Sequence, residues 1–187
     1  TEVFGVPLAL DSKVRDGSLR YCAGDLGIPV ILYEAGEALR FDEMYIRAGV
    51  NGIINVMREI GMLPRSRSSK PRKPPLICDH TYWVRAPESG MLRTLVPLGA
   101  KVEEGQGLAM IADPMGSSES EVTAPYSGVV IGRTNLPLAY AGDALFHIAR
   151  YGTKNSLVER QVERFQEELE PEDDFDLMND ASNAPIT

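Results

Sequence analysis

Ala86-Pro87-Glu88-Ser89-Gly90 and Ala124-Pro125-Tyr126-Ser127-Gly128 are two copies of one phrase, AP-x-SG, in a chain of 187 residues. A second phrase follows each copy: GQGLAMIA over 105–112 and GDALFHIA over 142–149. From the Ala of the first phrase to the Gly of the second is 19 residues in one copy and 18 in the other. Leu108 matches Leu145, Ile111 matches Ile148 and Ala112 matches Ala149, repeating the alternation of a half-buried strand. The glycines fall where tight turns want positive φ. Two equal halves, turn-rich and with Gly or Pro every few residues, predict a small pseudo-symmetric β barrel or flattened sandwich over 76–151.

Working outward, residues 64–75, PRSRSSKPRKPP, hold four prolines, three serines and five basic residues. Such a stretch has nothing to bury and reads as a solvated linker. Before it, residues 1–63 read as an α/β unit. GSLRYCAGDLG (17–27) spaces Leu19, Cys22, Ala23 and Leu26 as a helix would, with Gly27 as its cap. Val30 to Tyr33, apolar on both faces, then fits a buried parallel strand. A second helix is expected at about 41–62, with Asp42 as N-cap, Gly61 as stop, and Ala48, Ile53, Val56, Met57 and Ile60 turned inward. Helix, strand and helix with short connections make a βαβ-type fragment. After the repeat, 152–187 is expected to hold a short amphipathic helix over 155–169 and then a loose acidic tail.

Composition narrows the function classes. The chain is 43% hydrophobic and 25% charged, as soluble globular domains are. A net charge of -8, with no basic stripe to offset it, argues against nucleic acid. No run of about 18 apolar residues offers a membrane span. Cys22 and Cys78 belong to no CxxC and read as reduced thiols of a cytoplasmic protein. The chain begins on TEVFGVPLAL rather than Met, as though cut from something longer.

The stretch from VRAPESGMLRTLVPLGAKVEEGQGLAMI to EVTAPYSGVV resembles the barrel-sandwich hybrid of biotinyl and lipoyl carriers. In carriers that fold presents a modifiable lysine on the hairpin between its halves. Here the hairpin is ADPMGSSESE (112–121), with Met115 near that place, and no lysine lies between Lys101 and Lys154. Swinging-arm chemistry needs an amine to acylate, so a carrier role is excluded.

Taken together, LRYCAGDLGIPVILYEAGE, the helix MYIRAGVNGIINVMREIGML, a basic Pro-rich linker and a lysine-less lipoyl-like barrel ending NLPLAYAGDALFHIA resemble the succinylglutamate desuccinylase/aspartoacylase family. The resemblance covers most of 17–150. It implies a zinc-carboxypeptidase-like α/β domain, of which 1–63 would be the C-terminal part, followed by the β domain flanking the cleft. It further implies a zinc, held by two histidines and a glutamate, that activates water for attack on an amide. Glu34 matches the general base of the family's E-x-G motif, standing at the carboxyl end of the expected strand, where burial would raise its pKa. Arg20 and Tyr21 lie near the family's grip on a substrate carboxylate, Glu37 and Arg40 border the base's loop, and Tyr126 is a candidate to face the cleft from the β domain.

The departures are as informative. The family's zinc ligands precede the base, and no histidine occurs before Glu34. Both histidines, His80 and His147, lie in the second unit; His147 stands where Met110 stands in the other copy and reads as a packing or surface residue. Cys78-Asp79-His80 lacks the four ligands at motif spacing that a structural zinc wants. The expectation is therefore a C-terminal fragment of a zinc-dependent deacylase acting on a small N-acyl substrate, with its metal ligands upstream of Thr1. That fragment alone would be inactive, needing the missing N-terminal half as partner. A remnant sheet left uncovered also predicts an exposed apolar face and self-association. The competing expectation is a non-catalytic binding or assembly module built on the lysine-less barrel.

Overall fold

The computed structural model describes residues 1–65, 74–150 and 158–169. Most of the linker, the start of the 155–169 helix and the acidic tail lie outside the described residues.

Each half of the repeat supplies four strands. The first half gives β3 (His80–Arg85), β4 (Gly90–Thr94), β5 (Lys101–Val102) and β6 (Gly107–Ala112). The second gives β7 (Glu119–Thr123), β8 (Gly128–Arg133), β9 (Leu138–Ala139) and β10 (Ala144–Arg150). They assemble into two four-stranded sheets of order β3-β10-β8-β5 and β7-β6-β4-β9. Exchanging each strand for its partner in the other half turns one order into the other. Every sheet thus takes its two central strands from one half and its two edges from the other. The pseudo-symmetry expected from the repeat is present. A closed barrel is not formed; the eight strands of the repeat remain two sheets around one core.

The core is the alternating set that the repeat exposes in sequence. Leu108, Ile111, Leu145, Phe146 and Ile148 are fully buried, each contributing about 1.5–3 kcal/mol by leaving water. The repeated glycines split into two roles. Gly105 and Gly142 carry positive φ, 81° and 89°, as a tight turn requires. Gly90 and Gly128 instead allow close approach. A Cβ on Gly90 would sit 2.5 Å from the Ala112 carbonyl oxygen, and one on Gly128 the same distance from that of Ala149. Because Ala112 and Ala149 are themselves repeat partners, the two halves are matched down to a single steric contact.

The N-terminal residues are organised around α2 (Glu43–Glu59). Asp42 caps it, its side chain accepting from the Met44 N–H at 3.1 Å. Its buried face is Ala48, Gly49 and Gly52; of the stripe expected inward, Ala48 is buried, Val56 and Met57 are half-buried, and Ile53 and Ile60 are exposed. The small residues are needed because the Phe4 ring lies on Gly52 and the Tyr33 ring on Gly49, the two rings 5.3 Å apart. The first helix, α1 (Leu19–Asp25), forms on its Ser18 cap, but it buries no residue, and the stripe expected to face inward is largely exposed.

Val30–Tyr33 is not a strand. A strand is completed by its ladder, and no neighbouring strand among the described residues offers one to these residues. Val30, Ile31 and Leu32 are consequently exposed rather than buried, and the expected βαβ arrangement is absent. The parallel pairing lies elsewhere: β1 (Leu8–Leu10) runs beside β2 (Leu76–Cys78), joining the N-terminal residues to those after the linker. Beside β2, α3 (Val158–Leu169) buries Val162 with Leu76, Cys78, Val129 and Ala149, with Leu8 of β1 packed against the same cluster. None of the helices described is long and apolar enough to cross a membrane.

Candidate active-site cleft

Where β1 and the 30–34 segment approach β8 and β10, a cleft of about 420 Å³ opens. Val6, Leu8, Leu10, Val30, Ile31 and Ile131 supply much of its apolar lining, while Asp11, Arg20, Glu34 and His147 supply charge and hydrogen-bonding groups. Apolar walls with a few convergent polar groups are the usual make-up of a small-molecule site.

Two residues singled out in the sequence meet here. Glu34, following the extended 30–33 run, lines the cleft, and so does Arg20 from the first turn of α1, whose guanidinium donates to the Lys13 carbonyl at 3.3 Å. The expected burial of Glu34 is not found; its side chain is exposed, since the segment carrying it has no sheet over it. Tyr33, just before it, is anchored: its hydroxyl donates to the Tyr45 carbonyl at 2.9 Å, and burial pushes its pKa up. Glu34 therefore leaves the chain at a fixed point beside α2.

The other four, Tyr21, Glu37, Arg40 and Tyr126, are not among the residues lining this cleft. Tyr21 sits on the exposed side of α1, its N–H donating to the Ser18 hydroxyl. Arg40 pairs with Glu37, whose second oxygen accepts from the Asn135 amide across the two parts of the chain. Tyr126 packs edge-on against Tyr82, accepts that residue's hydroxyl on its carbonyl, and has the Arg150 guanidinium 5.1 Å above its ring.

His147 is the residue the sequence reading passed over. It lies on β10, half-buried, with its ring stacked flat on Trp83 at 4.2 Å and 8°. Burial lowers its pKa, and the Glu34 carboxylate partly offsets that by favouring the imidazolium. The signal was available in the repeat: a histidine replaces Met110 at a matched position, and polar substitution at one copy of a symmetric pair marks the copy with an added task.

The candidate metal residues do not converge. Cys78 is sealed in the core, where burial pushes its thiol up to about 11, while Asp79 and His80 point out as an exposed pair 3.7 Å apart. Among the described residues no three His, Cys, Asp or Glu side chains are grouped to hold an ion.

No family model matches the chain, and no curated protein matches it. Solved structures do. The apo ectoine utilization protein EutE (DoeB) from Ruegeria pomeroyi matches with a TM-score of 0.67 at 19% identity, over 79% of this chain and 48% of its own. A succinylglutamate desuccinylase/aspartoacylase from Rhodobacter sphaeroides matches with a TM-score of 0.68 at 20% identity, over 81% and 48%. A succinylglutamate desuccinylase from Silicibacter sp. TM1040 matches with a TM-score of 0.62 at 20% identity, over 79% and 47%. The chain spans about half the length of these proteins. Over about four-fifths of its residues, it has the fold found in succinylglutamate desuccinylase/aspartoacylase proteins, as its sequence resemblance implied.

Proposed function

We infer that this chain is part of a deacylase that hydrolyses an N-acyl amino acid or a similar small amide, with Glu34 as general base. The observation that carries this reading is that Glu34 and Arg20 both line one cleft, in a chain with the fold of desuccinylase-type proteins. A carboxylate at that point takes the proton of a water attacking the acyl carbonyl. It then returns the proton to the nitrogen as the C–N bond breaks, freeing a carboxylic acid and an amine. The Arg20 guanidinium suits the substrate's carboxylate, which it can engage with two parallel N–H donors. A related protein from Ruegeria pomeroyi has been solved with its product bound, consistent with a small-molecule site in this fold.

The family resemblance implies zinc. The described residues do not fit one, because no cluster of ligating side chains exists among them. Any metal ligands would then belong to the remainder of the protein. In the same reading the two interleaved sheets are a barrel-sandwich hybrid, supported by their exchanged strand order, and the unpaired thiols of Cys22 and Cys78 suit the cytoplasm.

The test is to offer the whole protein a panel of N-acetyl and N-succinyl amino acids and measure free amine released. Turnover of at least one, lost when the acyl group is replaced by a non-hydrolysable N-alkyl group, is expected. No release from any member would overturn the reading.

A further inference from the structure

The two halves of the repeat are close copies, so the places where they differ show where the fold has been adapted. One irregularity is shared. The ladder between β3 and β10 shifts register between Ala144 and Phe146, and that between β6 and β7 shifts at the matching positions, Gly107 and Ala109. That bulge belongs to the architecture. A second irregularity is not shared. Between β8 and β10, Val130 pairs with Ile148 but Gly132 pairs with His147, leaving Ile131 as an extra residue. The equivalent ladder between β4 and β6 runs without interruption from Met91–Ala112 to Thr94–Ala109.

The unshared bulge lies on the cleft. Ile131, the inserted residue, and His147, beside it, both line the cavity. Bulges of this kind bend a strand and re-aim its side chains, and they concentrate next to binding sites. Opposite His147, Gly132 leaves room for the histidine: a Cβ there would come within 3.3 Å of the His147 Cβ. On its other flank His147 pairs in register with Trp83, whose indole stacks on the imidazole. In the other sheet the corresponding positions hold Met110, Arg93 and Glu121, with neither bulge nor stack. Three departures from the repeat thus converge on one imidazole.

We propose that His147 is a substrate-contacting residue of this cleft, held by Trp83 and the Ile131 bulge so that its ring binds the amide end of the N-acyl substrate across from Glu34. The inference rests on the hydrolase reading above and adds to it a residue contributed by the β sheets. A neutral imidazole carries one N–H donor and one acceptor nitrogen, the complement of an amide's carbonyl and N–H. Burial keeps the ring in that neutral form. Arg20, the cation among the lining residues, is then left for the substrate's carboxylate. Trp83 is a positioning residue, acting through the orientation of the imidazole.

Kinetics of the whole protein on whichever N-acyl amino acid it hydrolyses provide the test. His147→Ala should raise KM about tenfold, the loss expected of one or two hydrogen bonds, with kcat changed far less. Trp83→Ala should move KM in the same direction, and Trp83→Phe should restore most of it. A readout independent of turnover compares His147 with His80. In Glu34→Gln protein with labelled histidine, N-acetyl-L-glutamate should shift the imidazole signals of His147 and leave those of exposed His80 in place. An unchanged KM in folded His147→Ala, or signals of both histidines moving alike, would overturn the proposal. Failure of the hydrolase reading looks different: wild-type protein would release no amine, whereas failure here leaves wild-type turnover intact.

Discussion

Glu34 and His147 show what one residue type can and cannot reveal. Glu34 is legible because it ends an apolar run next to Ala-Gly, a context that the family resemblance marks. Its exposure was not legible, since that depends on which strands lie beside the 30–33 segment. His147 stood in plain view, but on a strand whose alternation made it look like surface; the cleft that it lines with Ile131, beside the register shift, is built by residues distant in sequence. Its environment has a measurable consequence. The folded state binds a proton at His147 less readily than the unfolded chain does, because burial outweighs the pull of Glu34. Stability from this group is therefore complete above the unfolded value of about 6.5 and is lost as pH falls through the lower folded value. Urea midpoints measured from pH 8 down to 5 should decline, and His147→Ala should remove part of that decline. Parallel curves for the two proteins would contradict the burial described.

Among the elements, the matched strands β6 and β10 were readable, because alternation and paired glycines are local signals that the sheets then satisfy. The helices were found; α3 buries Val162 and Leu169 of its apolar stripe as expected, but the buried faces of α1 and α2 were largely misjudged. On α2 the largest residues look like the natural inward stripe, yet the rings of Phe4 and Tyr33 occupy that space and only Gly49, Gly52 and Ala48 fit beneath them. Sequence spacing does not reveal an aromatic ring delivered from 48 positions away, as Phe4 is to Gly52. The matched contacts of Gly90 and Gly128 yield a prediction at this scale. Adding a Cβ drives it against a backbone carbonyl in either copy, so Gly90→Ala and Gly128→Ala should each cost about 1–3 kcal/mol. Chemical denaturation of the two variants should give losses of similar size. A loss confined to one of them would mean that the halves are not mechanically equivalent.

At the scale of the whole molecule, the cleft exists because two stretches far apart in sequence are tied together. The parallel pairing of β1 with β2 does this in the backbone, and the Glu37–Asn135 contact does it between side chains. Neither tie could be read beforehand: three-residue strands carry little pattern, and a lone asparagine carries none. The order of modules, by contrast, was specific enough to point to the fold. Exposed Leu26, Ile28, Val30, Ile31 and Leu32 fit the apolar face expected on the N-terminal residues. The proposed hydrolysis in this cleft depends on proton transfer at one carboxylate, Glu34. The most direct measurement of that transfer is the kcat of Glu34→Gln in the whole protein, on the N-acyl amino acid that the wild type hydrolyses best. The expected result is a fall of about 10²–10⁴-fold with KM little changed; a kcat within twofold of wild type would contradict it.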